Sequence, residues 1–430
     1  MTDYEKFLSQ TGRQLTESAI RRMGTVVARS GDLVSFAPGY PDPSVFPWEE
    51  LRDISTALLE SHDGNTLQYG PTRGLTPLLE QALGVLEARG IRTGLENLIV
   101  TSGSQQGIDL IARVLVSPGD VVLVELPTFT GGIAAFKNAQ AELIGVRQDA
   151  SGIDLDDLDA VWQREHRAGK CIKLLYVIPN FQNPTGSLLA LDRRARLLEW
   201  AERRDLLIVE DDPYGSLYFD DVAREEETRP LRADDANGRV LYLSTVSKTL
   251  APGFRVGWMV APPMLVERFD TAKQSSDLTS GILDQCMVIE ALRRGVIDRL
   301  APQLRELYRT KRDVMETAIR EHAGGRLTWS QPKGGFFIWA TLPDGLRDMD
   351  VLARALEHGV VFVAGSAFHV DGSGHNTIRL SFSAPTPDRI REGVRRLAAT
   401  LQPAPFDAAQ GAPSSSRGAL ARSGNGLGSF

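Results

Sequence analysis

The chain has 430 residues, 42% hydrophobic and 24% charged, which is enough for two or three packed domains with sizeable cores. A formal net charge of −7 argues against a broad polyanion-seeking surface, so no nucleic acid partner is expected, although a local basic pocket for one phosphate is compatible with it. The two cysteines, Cys171 and Cys286, lie far apart without metal-ligand spacing, which argues against a disulfide scaffold or a zinc ribbon and makes a reducing, cytoplasmic setting the expectation.

The opening MTDYEKFLSQTGRQLTESAIRRM has no apolar core of signal-peptide length. No window of the chain reaches the roughly 18 apolar residues of a spanning helix, so no membrane partner is expected either. From about residue 97 to 260, short apolar runs alternate with amphipathic stretches, the pattern of a largely parallel sheet with helical crossovers. The candidate strands are NLIVT, DVVLVE, AELIGV, IKLLYVI, DLLIVE, RVLYLS and RVGWMV. Between two of them, ALDRRARLLEWAERR predicts a surface helix with Leu191, Ala195, Leu198 and Ala201 on the buried face and the arginines on the others. From about 300 to 401 the pattern changes to a long charged helix (PQLRELYRTKRDVMETAIREH), short strands at GGFFIWATL, VVFVAG and TIRLSFS, and a closing helix. This predicts a smaller α+β unit, completed by the first 45 or so residues. The stretch 402–430, rich in Pro, Ala, Gly and Ser, predicts a disordered tail.

Several turns at strand ends carry chemistry. In VTSGSQQGIDLIARVL, a Gly/Ser loop opens a helix, so backbone N–H groups near Ser104 and Gln105 form an anion site that is neither GxGxxG nor a Walker loop. Asn183 precedes a Pro-Thr-Gly turn in VIPNFQNPTG, and LLIVEDDPYG ends an apolar strand in Asp211 and Asp212, followed by Tyr214. In YLSTVSKTLAPGFRVGW, Lys248 sits in a turn where Thr245, Ser247 and Arg255 are the donors that a phosphate dianion would want. A lysine amine forms an imine with an aldehyde and shuttles protons once its pKa is lowered. Together these residues point to an aldehyde that carries a phosphate. Arg379 in TIRLSFS offers a planar fork for a carboxylate. Taken singly, each of these segments also fits a structural reading as a turn, a strand cap or a solvated cation.

In order and spacing, the segments from about 35 to 385 resemble the class I and II aminotransferases, pyridoxal-5′-phosphate enzymes of fold type I. The resemblance implies an α/β fold-type I PLP transferase with a large mostly parallel sheet domain (46–299) and a smaller α+β domain (300–401, joined by the helix and substrate-side loop of 1–45). It implies that Lys248 holds the cofactor as an imine and moves protons, and that Asp211 keeps the pyridine nitrogen protonated. Tyr214 and Asn183 would contact the phenolic oxygen, Asn183 also helping to hold the substrate carboxylate, while Asp212 serves the turn. Ser104, Gln105, Thr245, Ser247 and Arg255 would hold the phosphate. Phe129 would stack on the ring where these enzymes often place a tyrosine, losing its hydroxyl. Arg379 would clamp the substrate α-carboxylate, Gly39 would belong to the substrate-side loop, and Tyr69 would reach the phosphate of a neighbouring subunit, implying a homodimer.

The SQQG, EDDPYG and PGFRVGW strings look closest to aminoadipate/kynurenine and multi-substrate aminotransferases. The expected activity is ping-pong transfer of an amino group from an L-amino acid to a 2-oxo acid such as 2-oxoglutarate, in biosynthetic amino acid metabolism. Phe129, Phe254, Phe336 and Phe337 favour an aromatic or large apolar donor, whereas Arg21 and Arg22 favour an acidic one such as 2-aminoadipate. The same fold and lysine also support a β-lyase or a decarboxylase, and an aminotransferase-like domain also occurs in regulators that carry a DNA-binding module. No metal site is expected.

Overall fold

Alternation along the strands builds a sheet that is covered on both faces. The computed structural model describes residues 2–15 and 32–401; Arg21, Arg22 and the 402–430 stretch lie outside the described residues. The strands in chain order are β1 (Val34–Ser35), β2 (Leu98–Thr101), β3 (Val121–Leu126), β4 (Glu142–Asp149), β5 (Gly152–Ile153), β6 (Ile172–Val177) and β7 (Leu207–Asp211). They continue with β8 (Val240–Thr245), β9 (Gly257–Val260), β10 (Thr328–Trp329), β11 (Phe337–Thr341), β12 (Val360–Val361), β13 (Val363–Ala364) and β14 (Thr377–Ser381). All seven apolar runs between 97 and 260 form strands of one eight-stranded sheet, ordered β2-β9-β8-β7-β6-β3-β4-β5. The neighbours from β8 through β4 are parallel, and β9 runs antiparallel to both β2 and β8.

Because side chains alternate across a strand, Val122, Val124, Tyr176, Val209 and Leu243 face one layer, under the helices Ser104–Leu115, Thr130–Asn138 and Pro263–Gln274. Leu123, Leu175, Val177 and Ile208 face the opposite layer, under Leu155–Arg167 and Leu191–Arg203. Burial on both faces is why these strands read as continuous apolar runs.

The helix Leu191–Arg203 forms where its sequence predicts, but its buried face differs. Leu191 is 51% exposed and Ala195 is exposed, while Arg194, Leu197, Trp200 and Ala201 are buried. Arg194 is drawn inward because its guanidinium donates to the carbonyls of Leu189, Arg229 and Pro179 and to Asn180 Oδ1. Four acceptors offset the desolvation that periodicity alone assigns to an arginine.

The remaining strands form a four-stranded antiparallel sheet, β10-β11-β14-β13, and a short parallel pair, β1 with β12. The helix Val296–Ala323 extends further toward the amino terminus than its charged core, with Pro302 inside it. Early in the chain, Phe36 N–H donates to Val361 O, and Ser381 N–H donates back to Phe36 O. Residues 34–42 are thereby tied to the late strands. Among the described residues no helix is long and apolar enough to cross a membrane.

Candidate active site

The carboxyl ends of parallel strands, where the chain leaves the sheet, are where α/β folds place ligands. Here the segments after β2, β3, β6, β7 and β8 line one cavity of about 420 Å³, closed on its far side by Gly39, Tyr40, Phe337 and Arg379. Every described candidate residue lines it except Tyr69, Phe254 and Phe336, the last a fully buried core ring. The Tyr69 side chain lies outside, 78% exposed.

Lys248 Nζ donates to Gly39 O at 3.0 Å. Burial of the amine, reinforced by the charges of Arg255 and Arg379, lowers it to about 8. Its nitrogen lies 5.9 Å from the centre of the Tyr214 ring. Tyr214 is itself buried and packs edge-on against Phe336 and Phe337, and burial pushes its phenol above the usual value.

Asp211 ends β7 and is 3% exposed. Its Oδ2 accepts from Tyr176 Oη at 2.9 Å, while Oδ1 is buried with no hydrogen-bond partner among the described residues. Ser104 Oγ is likewise buried with no hydrogen-bond partner among the described residues. Burial raises Asp211 to about 6, opposed first by the Tyr176 hydroxyl and then by the nearby Ser104 hydroxyl, which helps to hold that carboxyl down. The neighbouring Asp212 serves a buried network beyond the turn, accepting from Asn180 Nδ2 at 2.9 Å, Arg89 Nη2 at 3.1 Å and Tyr242 Oη at 3.1 Å.

One end of the cavity is an anion cradle. Gly103, at φ +75, opens the helix Ser104–Leu115 without a side-chain cap, leaving its first N–H groups toward the cavity. Arg255 Nη2 donates to Ser102 O at 2.9 Å and Nη1 to Ser247 Oγ at 3.3 Å, and Ser247 Oγ lies 2.8 Å from Thr245 Oγ1. A Cβ at position 103 would stand 2.5 Å from the Arg255 guanidinium and strain the backbone at φ +75, so a side chain here displaces the arginine. Gln105 Nε2 reaches Gly131 O at 3.0 Å, tying this helix to the one that begins after Phe129.

At the opposite end, Arg379 is 1% exposed on β14. Nη1 donates to Asn183 Oδ1 at 2.7 Å and Nη2 to the Ala37 carbonyl, and Nε has no partner among the described residues. Its guanidinium lies 4.3 Å over the Phe337 ring. No carboxylate among the described residues pairs with it, and burial without one lowers it from the usual arginine value. The Gly39 segment is pinned by Ser383 Oγ donating to Tyr40 O at 2.7 Å and by Lys311, which pairs with Asp42 and donates to Ser383 O at 2.8 Å. A Cβ on Gly39 would lie 2.5 Å from Phe337 Cζ.

Sequence reasoning missed three buried residues behind this wall. Tyr176 passed as an apolar strand residue. Gln182 donates through Nε2 to Pro127 O at 2.8 Å and Glu125 Oε2 at 3.2 Å, while its Oε1 accepts from Thr185, fixing the turn that carries Asn183. Glu125 also accepts from Ile178 N–H at 3.0 Å, and burial pushes it up to about 8. Polar side chains near the ends of buried strands and in the buried turn after β6 were the available signal.

A buried amine, an unpaired buried carboxylate oxygen and an anion cradle, set around one cavity of an α/β sheet, suit pyridoxal phosphate on all three sides; the fold is fold type I of the enzymes that use it. Residues 42–397 match the family model for aminotransferase class I and II. The chain is 40% identical over 401 residues to aromatic-amino-acid aminotransferase 1 of Thermococcus litoralis, covering 93% of this chain and 95% of that one. It is 39% identical to 2-aminoadipate transaminase of Thermus thermophilus, covering 93% and 97%. Among solved structures, Pyrococcus horikoshii kynurenine aminotransferase in complex with PMP matches with a TM-score of 0.88 at 39% identity, covering 93% and 98%. The chain belongs to the class I and II aminotransferases and is a pyridoxal-phosphate-dependent transaminase of amino acids.

Proposed function

We propose that this enzyme transfers the amino group of an L-amino acid with an aromatic, large apolar or 2-aminoadipate-like side chain to a 2-oxo acid such as 2-oxoglutarate, by a ping-pong mechanism. The observation that carries it is a buried Arg379 without a carboxylate partner among the described residues, across the same cavity from the Lys248 amine. That slot suits the α-carboxylate of substrate. Aromatic rings at Phe129, Tyr40 and Phe337 line the cavity and favour a large side chain, in keeping with the aromatic and 2-aminoadipate substrates in the names of the two relatives.

Pyridoxal phosphate, when bound, supplies the aldehyde and an electron-withdrawing ring. Ser104, Gln105, Thr245, Ser247 and Arg255 would hold its phosphate, Phe129 its ring face, and Asp211 Oδ1 its ring nitrogen. Tyr214 Oη and Asn183 Nδ2 would donate to its phenolic oxygen, Asn183 Oδ1 being engaged by Arg379. Arg379 orients the substrate so that its α C–H faces Lys248 Nζ, which takes up that proton and returns it. With its pKa lowered to about 8, a usable fraction of the amine is neutral near neutral pH. Tyr69, exposed on one subunit, would complete the phosphate site of a second copy, so the working unit is a homodimer; the sparse, unpaired cysteines support a cytoplasmic setting. The domain limits follow the same reading, with 46–299 binding the cofactor and 300–401, joined by 1–45, closing the substrate side.

The test is an absorbance spectrum of the purified enzyme with single L-amino acids and no oxo acid. Loss of a band near ~420 nm and gain near ~330 nm, first with aromatic or aminoadipate-like donors, is the expected outcome. A response confined to small or short acidic donors would overturn the substrate class. Release of pyruvate or carbon dioxide would mark a lyase or a decarboxylase instead.

A further inference from the structure

Tyr176 is fully buried, where a phenylalanine would fill the same apolar space without a hydroxyl to desolvate. The strand register explains where that hydroxyl goes. Tyr176 on β6 pairs with Val209 on β7, and Asp211 lies two residues further along on the same face. Oη donates to Asp211 Oδ2 at 2.9 Å. The ring has little freedom to do otherwise. Phe136 meets it edge-on at 5.8 Å, and a Cβ at Gly132 would stand 2.9 Å from its Cε1.

We propose that Tyr176 is a positioning residue of the transamination site: its hydroxyl, donated to Asp211 Oδ2, keeps that carboxylate ionised and turned so that Oδ1 alone faces the ring nitrogen of the cofactor. This rests on the reading of Asp211 given above. A carboxylate with both oxygens unpaired in a buried wall would take a proton or rotate, and either change removes the anionic acceptor that the ring nitrogen needs. The phenol satisfies one oxygen without adding a charge, and the other oxygen keeps a fixed direction.

The test compares full-length enzyme loaded with pyridoxal phosphate and with an analogue whose ring nitrogen is replaced by C–H. Dissociation constants are measured by protein fluorescence for the wild type, Tyr176→Phe, Asp211→Asn and the double variant. Tyr176→Phe is expected to weaken pyridoxal phosphate about ten- to a hundredfold, the value of a hydrogen bond to a charged group, and the analogue by less than about threefold. The double variant is expected to lose little beyond Asp211→Asn, because both act on one interaction. The ratio between the two cofactors is insensitive to general loosening of the fold. Gly132→Ala, which crowds the same ring, is expected to move that ratio in the same direction. Equal weakening of both cofactors by Tyr176→Phe, with Asp211→Asn still discriminating, would reduce Tyr176 to packing and overturn the proposal. If Asp211→Asn fails to discriminate, the assignment of Asp211 to the ring nitrogen is what fails.

Discussion

Arg379 is held in place from two sides, by Asn183 and by the Ala37 carbonyl, with Phe337 beneath its plane. A lysine in its place keeps the charge but loses the fork, so Arg379→Lys is expected to lower kcat/KM for amino acids by about a hundredfold while cofactor absorbance stays intact. Steady-state kinetics on a good donor checks this, and a variant within threefold of wild type would rule out the clamp. The residues read from local strings, such as Lys248 with Ser247 and Arg255, were legible because their contacts span a few positions of one loop. Tyr176, Glu125 and Gln182 were not, because their roles arise from which strands lie side by side and in what register. Asp211 was half legible, as an acid at a strand end but not as one whose second oxygen is already engaged.

At the scale of elements, continuous apolar runs announced the strands, and burial on both faces is the reason. Strand order and the reversed direction of β9 left no comparable trace, since an antiparallel member buried on both faces has the same composition as a parallel one. The helix Leu191–Arg203 was legible in position but not in phase, because Arg194 is buried through acceptors contributed by distant loops. Gly103 joins two elements that must nearly touch, the helix Ser104–Leu115 and the Arg255 turn. Gly103→Ala strains a left-handed backbone and pushes the guanidinium away. It is expected to weaken pyridoxal phosphate at least tenfold more than pyridoxal, which lacks the phosphate. Equilibrium titration with both compounds measures the difference, and equal losses would place the phosphate elsewhere.

The whole molecule carries buried acids whose ionisation is linked to stability. Glu125 sits above its unfolded value, at about 8. Between about pH 4.5 and 8 the unfolded chain has therefore released a proton that the folded chain keeps, and stability falls as pH rises through that window. Glu125→Gln removes this dependence and is expected to shrink the drop in unfolding midpoint between pH 6 and pH 9. Thermal or urea unfolding of the full chain at both values checks the slope, and a variant that tracks wild type would exclude Glu125 as its source. The antiparallel sheet and the closing helix were legible as a second pattern of shorter strands. The pairing of Val34 with Val360 was not, because nothing local marks a two-residue strand whose partner is synthesised near the other end of the chain.

That pairing orders events during synthesis. The segment carrying Gly39 leaves the ribosome well before its backbone partners at Val361 and Ser381. The turns facing amine and phosphate, from Ser102 to Arg255, are all translated before Arg379 exists to meet Asn183. The half of the cavity around Lys248 and Arg255 is therefore written well before the half around Arg379. Termination ahead of Thr377 deletes β14 with Arg379 and the Ser381 bond to Phe36, so a nonsense mutation that late removes one wall of the cavity and one anchor of the first loop.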